Sequence, residues 1–152
     1  MKIQIRRVAK GRERWAEQAS QSYLQRLRNF STEEQTLRLS QHRDLDRKRS
    51  DEAQRTLYGI GNEERLVALD ERGALLTTEE LRDWIQECID FRCKRLIFAI
   101  GGPFGHAQIV RDQSWRTLAL SPLVLNHELA RVVLAEQLYR VHTLIWGGSY
   151  HH

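Results

Sequence analysis

The chain has 152 residues, with little cysteine and little proline, and it contains no long apolar run. Its two cysteines, Cys88 and Cys93, are too few for a disulfide framework. No run reaches the roughly 18 apolar residues that a membrane-spanning helix needs. The opening Met-Lys-Ile-Gln-Ile-Arg-Arg-Val also lacks the apolar stretch of a secretory signal. These absences predict a protein of the reducing cytoplasm.

The composition is that of an ordinary soluble protein. Apolar residues make up 41% of the chain and charged residues 29%, which excludes collagen-like, coiled-coil and disordered classes. No linker, internal repeat or low-complexity segment interrupts the sequence. Because domains typically contain about 100–200 residues, residues 1–152 are expected to form a single domain.

Positive charge is concentrated in the first third of the chain. Residues 1–50 hold 13 lysines and arginines against 6 acidic residues, whereas residues 51–152 hold 11 against 14. Arginine accounts for 20 of the 24 basic residues, and its planar guanidinium makes forked contacts with phosphate. A polyanionic partner and a solvated charged surface both account for this distribution.

Strand and helix patterns alternate along the sequence. Strand patterns cover residues 2–8, 35–40, 65–70 and 95–100, and helical patterns cover residues 12–28, 44–58 and 127–145. Another helix is expected after Thr77, which has capping-box spacing to Glu80. The uninterrupted apolar segment 95–100 is typical of a buried parallel strand. The sequence therefore predicts an α/β fold with a mostly parallel sheet flanked by helices.

Three strand ends are candidate ligand sites, because ligands of open parallel sheets bind beyond the carboxyl ends of the strands. They are Leu69-Asp70, the glycine-rich segment 101–105 and the apolar segment 120–125. Glycines let a ligand approach the backbone closely, and apolar loop residues suit a flat aromatic group such as adenine. A plain tight turn and a buried core crossing remain alternatives for the two loops.

The last helix carries apolar residues on two nearly opposite sides. One side has Leu129, Val132, Val133 and Tyr139, and the other has Leu134, Leu138, Val141 and Ile145. A helix that is apolar on two sides is buried on two sides, which predicts a homodimer packed through it. Glu136 and Arg140 are four residues apart, and as an exposed pair on one helix they would stabilise it by about 0.2–0.5 kcal/mol. If they are buried in an interface, we expect them to pair with each other or to contact a ligand.

Several segments occur together in the order and spacing of a known family. They are Gly101 to Gly105, Ser114-Trp115, Leu120 to Leu125, the stretch from His127 to Arg140, and Tyr150-His151. The chain resembles the small SPOUT-class methyltransferases of the RlmH type, strongly from Leu66 to His151. Those enzymes methylate N3 of a pseudouridine in 23S ribosomal RNA of the assembled 70S ribosome. The resemblance implies an α/β fold with a C-terminal trefoil knot, a homodimer and a cytoplasmic location.

The same resemblance implies S-adenosyl-L-methionine as cofactor and assigns residues to two sites. Cofactor contacts fall on Leu69, Gly101, Gly102, Leu120, Ser121, Pro122, Leu123, Val124 and Leu125. Catalytic positions around a substrate pocket shared by two protomers fall on His127, Arg131, Glu136, Arg140, Tyr150 and His151. No metal is expected, since the Cys-x4-Cys spacing of Cys88 and Cys93 is a poor zinc motif. No membrane partner is expected either, since the chain has no long apolar run.

The tail departs from the family pattern. It reads Gly148-Ser149-Tyr150-His151-His152 and lacks both the usual proline and a final lysine or arginine. Two alternatives therefore stay open beside methylation of the pseudouridine. One is a SPOUT methyltransferase acting on another RNA base, and the other is a non-catalytic RNA- or ribosome-binding dimer.

Overall fold

A computed structural model describes residues 1–11 and 13–148, which form a five-stranded sheet with helices on both faces. The strands are β1 (Lys2–Val8), β2 (Ser31–Leu37), β3 (Glu64–Leu75), β4 (Arg95–Ile100) and β5 (Arg116–Ala119). The helices are α1 (Arg14–Leu24), α2 (Leu45–Leu57), α3 (Thr78–Asp90), α4 (Gln108–Gln113) and α5 (His127–Trp146). The strand order is β2-β1-β4-β3-β5 and every pairing is parallel. The predicted α/β fold with a parallel sheet is confirmed.

Two hydrophobic layers hold the helices on the sheet. The larger layer joins α1, α3 and α5 to one face through residues such as Ile5, Phe98 and Leu134. The smaller layer joins α2 and α4 to the other face, where Ala53 and Val110 pack over the central strands. Because both faces of β4 are covered, its side chains from Leu96 to Ile100 are all apolar and buried, as expected of a buried parallel strand, and only Arg95 at its start is charged.

Side-chain caps begin three of the helices. The predicted capping box is confirmed: Thr77 Oγ1 accepts from the Glu80 backbone N–H, and the Glu80 carboxylate accepts from the Thr77 N–H. Asp44 caps α2 in the same manner. The Asn126 side chain accepts from two backbone N–H groups at the start of α5, which fixes the point where this helix begins.

β3 is longer than the sequence pattern predicts. The strand continues beyond residue 70 to Leu75, and it pairs with β5 in two registers separated by an irregularity between Leu69 and Ala74. At Gly73 a Cβ atom would lie 2.7 Å from the backbone of Leu118. Only glycine allows the two strands to approach this closely, so the strand does not stop at the charged residues.

Three other elements differ from the predicted ones. α1 spans Arg14–Leu24 rather than residues 12–28. It buries Ala16, Ser20 and Leu24, whereas Trp15 is 49% exposed. β2 spans Ser31–Leu37 rather than 35–40, because each of its residues pairs with one of β1. The six-residue α4 has no predicted counterpart.

Within the described residues, no helix is both long enough and apolar enough to cross a lipid bilayer.

Candidate functional site

A cavity lies at the carboxyl ends of β3, β4 and β5, where open parallel sheets bind their ligands. Its volume is about 840 Å³, within the range of roughly 300–1,000 Å³ found for small-molecule sites. Leu69, Ile100 and Leu118 line its inner wall, and the two loops that follow β4 and β5 form its sides. The predicted strand ends therefore meet in one place.

The glycine-rich loop after β4 folds back on itself. The Gly105 N–H donates to the Gly102 carbonyl oxygen at 2.9 Å, and Gly105 has a φ of 72° in the left-handed region. A Cβ on Gly101 would lie 3.1 Å from the backbone of Gly105, and one on Gly102 would lie 3.0 Å from Glu52 Oε2. The loop leaves its backbone close to the cavity and has little room for side chains.

Helix α2 holds this loop from outside. Arg49 donates from Nε and Nη2 to the Phe104 carbonyl oxygen at 3.1 and 2.9 Å, and Lys48 Nζ lies 5.4 Å from the centre of the Phe104 ring. Arg49 also lines the cavity. The sequence around Arg49 does not indicate this role, because its partner Phe104 is 55 residues away.

The loop of residues 120–125 forms the opposite side of the cavity. The Leu123 N–H donates to Ser121 Oγ at 2.9 Å, and the side chains of Leu123 and Val124 are largely exposed at the rim. All of the cofactor residues implied by the resemblance line the cavity except Pro122, which is exposed beside it. Leu123 and Val124 are therefore available to a ligand, whereas Leu120 and Leu125 pack partly against the hydrophobic core.

Acidic groups lie at the β3 edge of the cavity, where Asp70 and Glu71 are lining residues. Burial alone would raise the pKa of Asp70, but hydrogen bonds from the Arg72 N–H and the Arg111 guanidinium outweigh it and lower the pKa. The Asp70 carboxylate therefore stays ionised at neutral pH, with Arg111 Nη1 2.9 Å from its Oδ2.

The polar positions predicted for catalysis do not all lie together. His127 lines the cavity, and its Nε2 lies 3.6 Å from Glu128 Oε1. Glu136 and Arg140 form an ion pair of 2.7 Å farther along α5, with both side chains partly exposed. Tyr150 and His151 lie outside the described residues.

Arg131 does not line the cavity and instead belongs to a buried ion network. Its Nε and Nη2 donate to Glu34 at 2.6 and 2.7 Å, and its Nη1 lies 3.5 Å from Glu128 Oε2. Arg7 Nη1 donates to Glu128 Oε1 at 2.5 Å. Burial would raise the pKa of Glu34, but the hydrogen bonds and charge of Arg131 lower it overall. The network attaches the start of α5, and with it His127, to β1 and β2.

Among residues 1–11 and 13–148, no group of three or more His, Cys, Asp or Glu side chains is arranged to hold a metal ion.

Comparison with known proteins agrees with this architecture. Residues 1–151 match a family model described as "Predicted SPOUT methyltransferase". The ribosomal RNA large subunit methyltransferase H of Geobacter metallireducens is 37% identical over 100% of this chain and 99% of its own length. That of Geobacter sulfurreducens is 35% identical over 100% of both chains, and that of Thermus thermophilus is 52% identical over 57% of this chain and 61% of its own. Fold, cavity and sequence agree, and the chain belongs to the SPOUT methyltransferase family.

Proposed function

We propose that the chain uses S-adenosyl-L-methionine to methylate N3 of a pseudouridine in 23S ribosomal RNA of the assembled 70S ribosome. The observation that carries this proposal is the cavity at the ends of β3, β4 and β5, bounded by the glycine-rich loop and the apolar loop. Full-length relatives named for methylation of large-subunit ribosomal RNA support the same substrate class.

The residues around the cavity fit the proposed cofactor. The close backbone approach at Gly101 and Gly102 leaves main-chain groups to bind its polar parts, and the segment 120–125 offers apolar side chains to an adenine ring. Leu69 completes the wall between them. When bound, S-adenosyl-L-methionine supplies an electrophilic methyl group carried by a positively charged sulfur.

The chain's own side chains handle the proton and charge of the pseudouridine. Its N3–H must lose a proton before the nitrogen attacks well, and His127, Tyr150 or His151 accepts it. Arg140 stabilises the negative charge that develops on the neighbouring carbonyl oxygens, and its ion pair with Glu136 holds the guanidinium in place. Arg131 acts through the buried network by positioning the start of α5.

The wider assembly is part of the proposal. Residues 1–152 form one cytoplasmic domain whose C-terminal part is knotted, and two such chains form a homodimer through α5. Leu129 is 42% exposed, and Val132 and Val133 on the same side are only partly buried, which supports a partner on this surface. The partner's tail then completes the substrate pocket with Tyr150 and His151.

Methyl transfer from labelled S-adenosyl-L-methionine to ribosomes that lack the modification tests the function. We expect label on N3 of the pseudouridine, located by mass spectrometry of the isolated nucleosides. Label on a different nucleoside would show that the enzyme methylates another RNA base. No transfer while the cofactor still binds would favour a binding-only dimer.

Arg140→Ala tests the catalytic assignment. Removal of one group that stabilises developing charge typically slows an enzyme about 10²–10³-fold, so we expect such a loss of methylation with little change in cofactor affinity. Arg82→Ala, which removes a guanidinium from the surface of α3, is the matched control. Equal losses of methylation and cofactor affinity in Arg140→Ala would contradict its role.

A further inference from the structure

A second cavity, of about 440 Å³, opens on the α2 side of the sheet and shares no lining residue with the first. It exists because the edge of this face is polar: α2 and α4 pack on the apolar residues of β3 and β4, whereas β1 and β2 present polar side chains beside them. We call it the arginine cavity. The lining residues used below are Arg6, Arg55, Arg95, Tyr58 and Glu33.

Arg95 has a hydrogen-bond donor that nothing in the described chain accepts. Its Nη2 donates to the Gly59 carbonyl oxygen at 2.8 Å and to Glu64 Oε2 at 2.7 Å. Its Nε is buried and has no hydrogen-bond partner among residues 1–11 and 13–148. A buried, unpaired donor on a charged group is costly and uncommon in native proteins. An acceptor from a ligand would satisfy it.

Arg6 adds a second guanidinium to the cavity. Arg95 pairs with Glu64, but no carboxylate in the described part of the chain accepts a hydrogen bond from Arg6. It is 4% exposed and donates to the Gln4 side-chain oxygen and to the backbone carbonyl oxygens of Thr56 and Tyr58, at 2.8 to 2.9 Å. Burial and the nearby charge of Arg95 lower the pKa of Arg6, so the two cations repel each other in a poorly solvated place. An anion between them would relieve that repulsion.

The other charged lining residues already have partners. Glu33 pairs with Lys2 at 2.5 Å, and Arg55 Nη2 pairs with Asp51 at 2.7 Å. Three arginines and one carboxylate line the cavity, but Arg55 and Arg95 are paired with Asp51 and Glu64. Within the described chain Arg6 is thus the lining arginine with no carboxylate in hydrogen-bond contact. The cavity favours an anion over a cation or a neutral ligand.

Tyr58 gives the arginine cavity an aromatic rim. Its side chain is 83% exposed, while its backbone carbonyl is fixed by the hydrogen bond from Arg6. A cationic cavity next to an exposed aromatic ring matches the two halves of a nucleotide, since guanidinium groups bind phosphate and rings stack on bases.

We propose that the arginine cavity binds one phosphodiester of the RNA substrate through Arg6 and Arg95, with an adjacent base stacked on Tyr58. This second RNA contact rests on the proposed function and extends it, because it lies apart from the methyl-transfer cavity. It positions the RNA without reading its sequence, as phosphate contacts do.

The Arg95 Nε–H resonance in a ¹H–¹⁵N spectrum of the full chain reports on the proposed contact directly, and its loss in Arg95→Lys assigns it. The probes are a short uridine oligonucleotide, dimethyl phosphate and inorganic phosphate. We expect a saturating shift with the oligonucleotide and a weaker one with dimethyl phosphate. No shift at saturating oligonucleotide would overturn the proposal. A shift with inorganic phosphate alone would make the cavity a free-phosphate site and would equally overturn it.

Tyr58→Ala tests the stacking half, with Phe91→Ala as the matched control, since Phe91 is an exposed aromatic at the end of α3 on the other face. Loss of one base–aromatic stack weakens binding roughly tenfold. We expect that loss for the oligonucleotide, and a similar rise in KM for ribosomes with unchanged kcat and cofactor affinity, in Tyr58→Ala only. Equal behaviour of the two variants would overturn the contact while leaving wild-type methyl transfer, and the proposed function, intact. Absence of wild-type transfer would remove the proposed function, and the oligonucleotide titration would still decide the cavity.

Discussion

Arg6 and Arg7 are neighbours on β1, nearly equally buried, and they have opposite surroundings. Because side chains alternate across a strand, Arg7 faces α5 and Arg6 faces α2. Arg7 meets the Glu128 carboxylate within a network of two arginines and two glutamates. Among the residues that the structure describes, Arg6 hydrogen-bonds only to neutral oxygen acceptors, lies near the like charge of Arg95, and has the carboxylates of Glu64 and Glu33 only at longer range.

The contrast separates two uses of a buried guanidinium. On the α5 side, Arg7 and Arg131 each pair with a carboxylate, so their charges are neutralised within the chain and stabilise the fold. On the α2 side positive charge is left over in an open cavity, which is useful only if an anion arrives. Burial alone does not distinguish a structural arginine from a binding one; the charge of its partners does.

The largest expected effect is on the compensated side. Arg131→Met leaves Glu34 without its cation and Glu128 with Arg7 alone, and breaking a buried ion pair in this way costs about 3–5 kcal/mol. We expect the free energy of unfolding, measured with urea, to fall by that amount. The double variant Glu34→Met/Arg131→Met is the control, because removing both charges together is often nearly neutral. A double variant less stable than Arg131→Met would show that the network is not held by charge pairing.

A smaller loss is expected on the uncompensated side. Unlike Arg131→Met, Arg6→Met leaves no carboxylate of the described chain buried without its hydrogen-bonded cation: it removes hydrogen bonds to three neutral oxygens, two of which, on Gln4 and Tyr58, border the cavity and can bind water instead, and it removes the repulsion from Arg95. We therefore expect a net loss of stability below that of Arg131→Met in the same urea measurement. Equal losses in the two variants would erase the distinction between the two faces.

The pH dependence of stability sharpens the same comparison. The folded pKa of Glu34 lies below its ordinary value of 4.5, so its contribution is fully present above pH 4.5 and is lost as the pH falls through the lower folded pKa. The stability difference between wild type and Glu34→Gln should therefore be largest above pH 4.5 and shrink towards more acidic pH. Glu13→Gln, an exposed carboxylate before α1, should show no such trend. A difference that grows on acidification would contradict the assignment.

The smallest effect concerns salt. Each phosphate contact contributes about 0.7–0.9 to the slope of log affinity against log salt, so Arg95→Gln, at the proposed phosphate contact in the arginine cavity, should reduce that slope for RNA by roughly this amount. Arg82→Gln on α3 should leave it unchanged. Binding of a labelled RNA fragment across a range of salt concentrations makes the measurement. An unchanged slope in Arg95→Gln would place the phosphate contact elsewhere.

The carboxyl-end loops could be predicted from sequence because local chemistry marks them. An uninterrupted apolar strand followed by closely spaced glycines predicts β4 and its loop, and Thr77 and Glu80 predict the start of α3. In each case the residues that form the signal lie within a few positions of one another in the sequence. These elements are where the prediction and the structure agree.

The charge networks could not be predicted, since their partners are distant along the chain. Glu34 is 97 residues from Arg131, and nothing near either residue indicates that they meet. The predicted strand at 35–40 differs from β2 at Ser31–Leu37 for the same reason. The side chains of β2 are mostly polar and show no strand pattern, and its position is set by pairing with β1. The predicted third strand ends at the charged Asp70, whereas β3 continues to Leu75 because Gly73 permits close approach to β5.

Both cysteines of the chain are buried, and burial raises the pKa of the Cys88 thiol to about 12. A thiol that stays protonated and inaccessible reacts slowly with alkylating reagents. The protein is thus already suited to site-specific labelling: a fluorophore attached to Gln35→Cys, an exposed position that lines the arginine cavity, would occupy one position without removal of the native cysteines. Its emission could follow RNA arrival at the arginine cavity in real time.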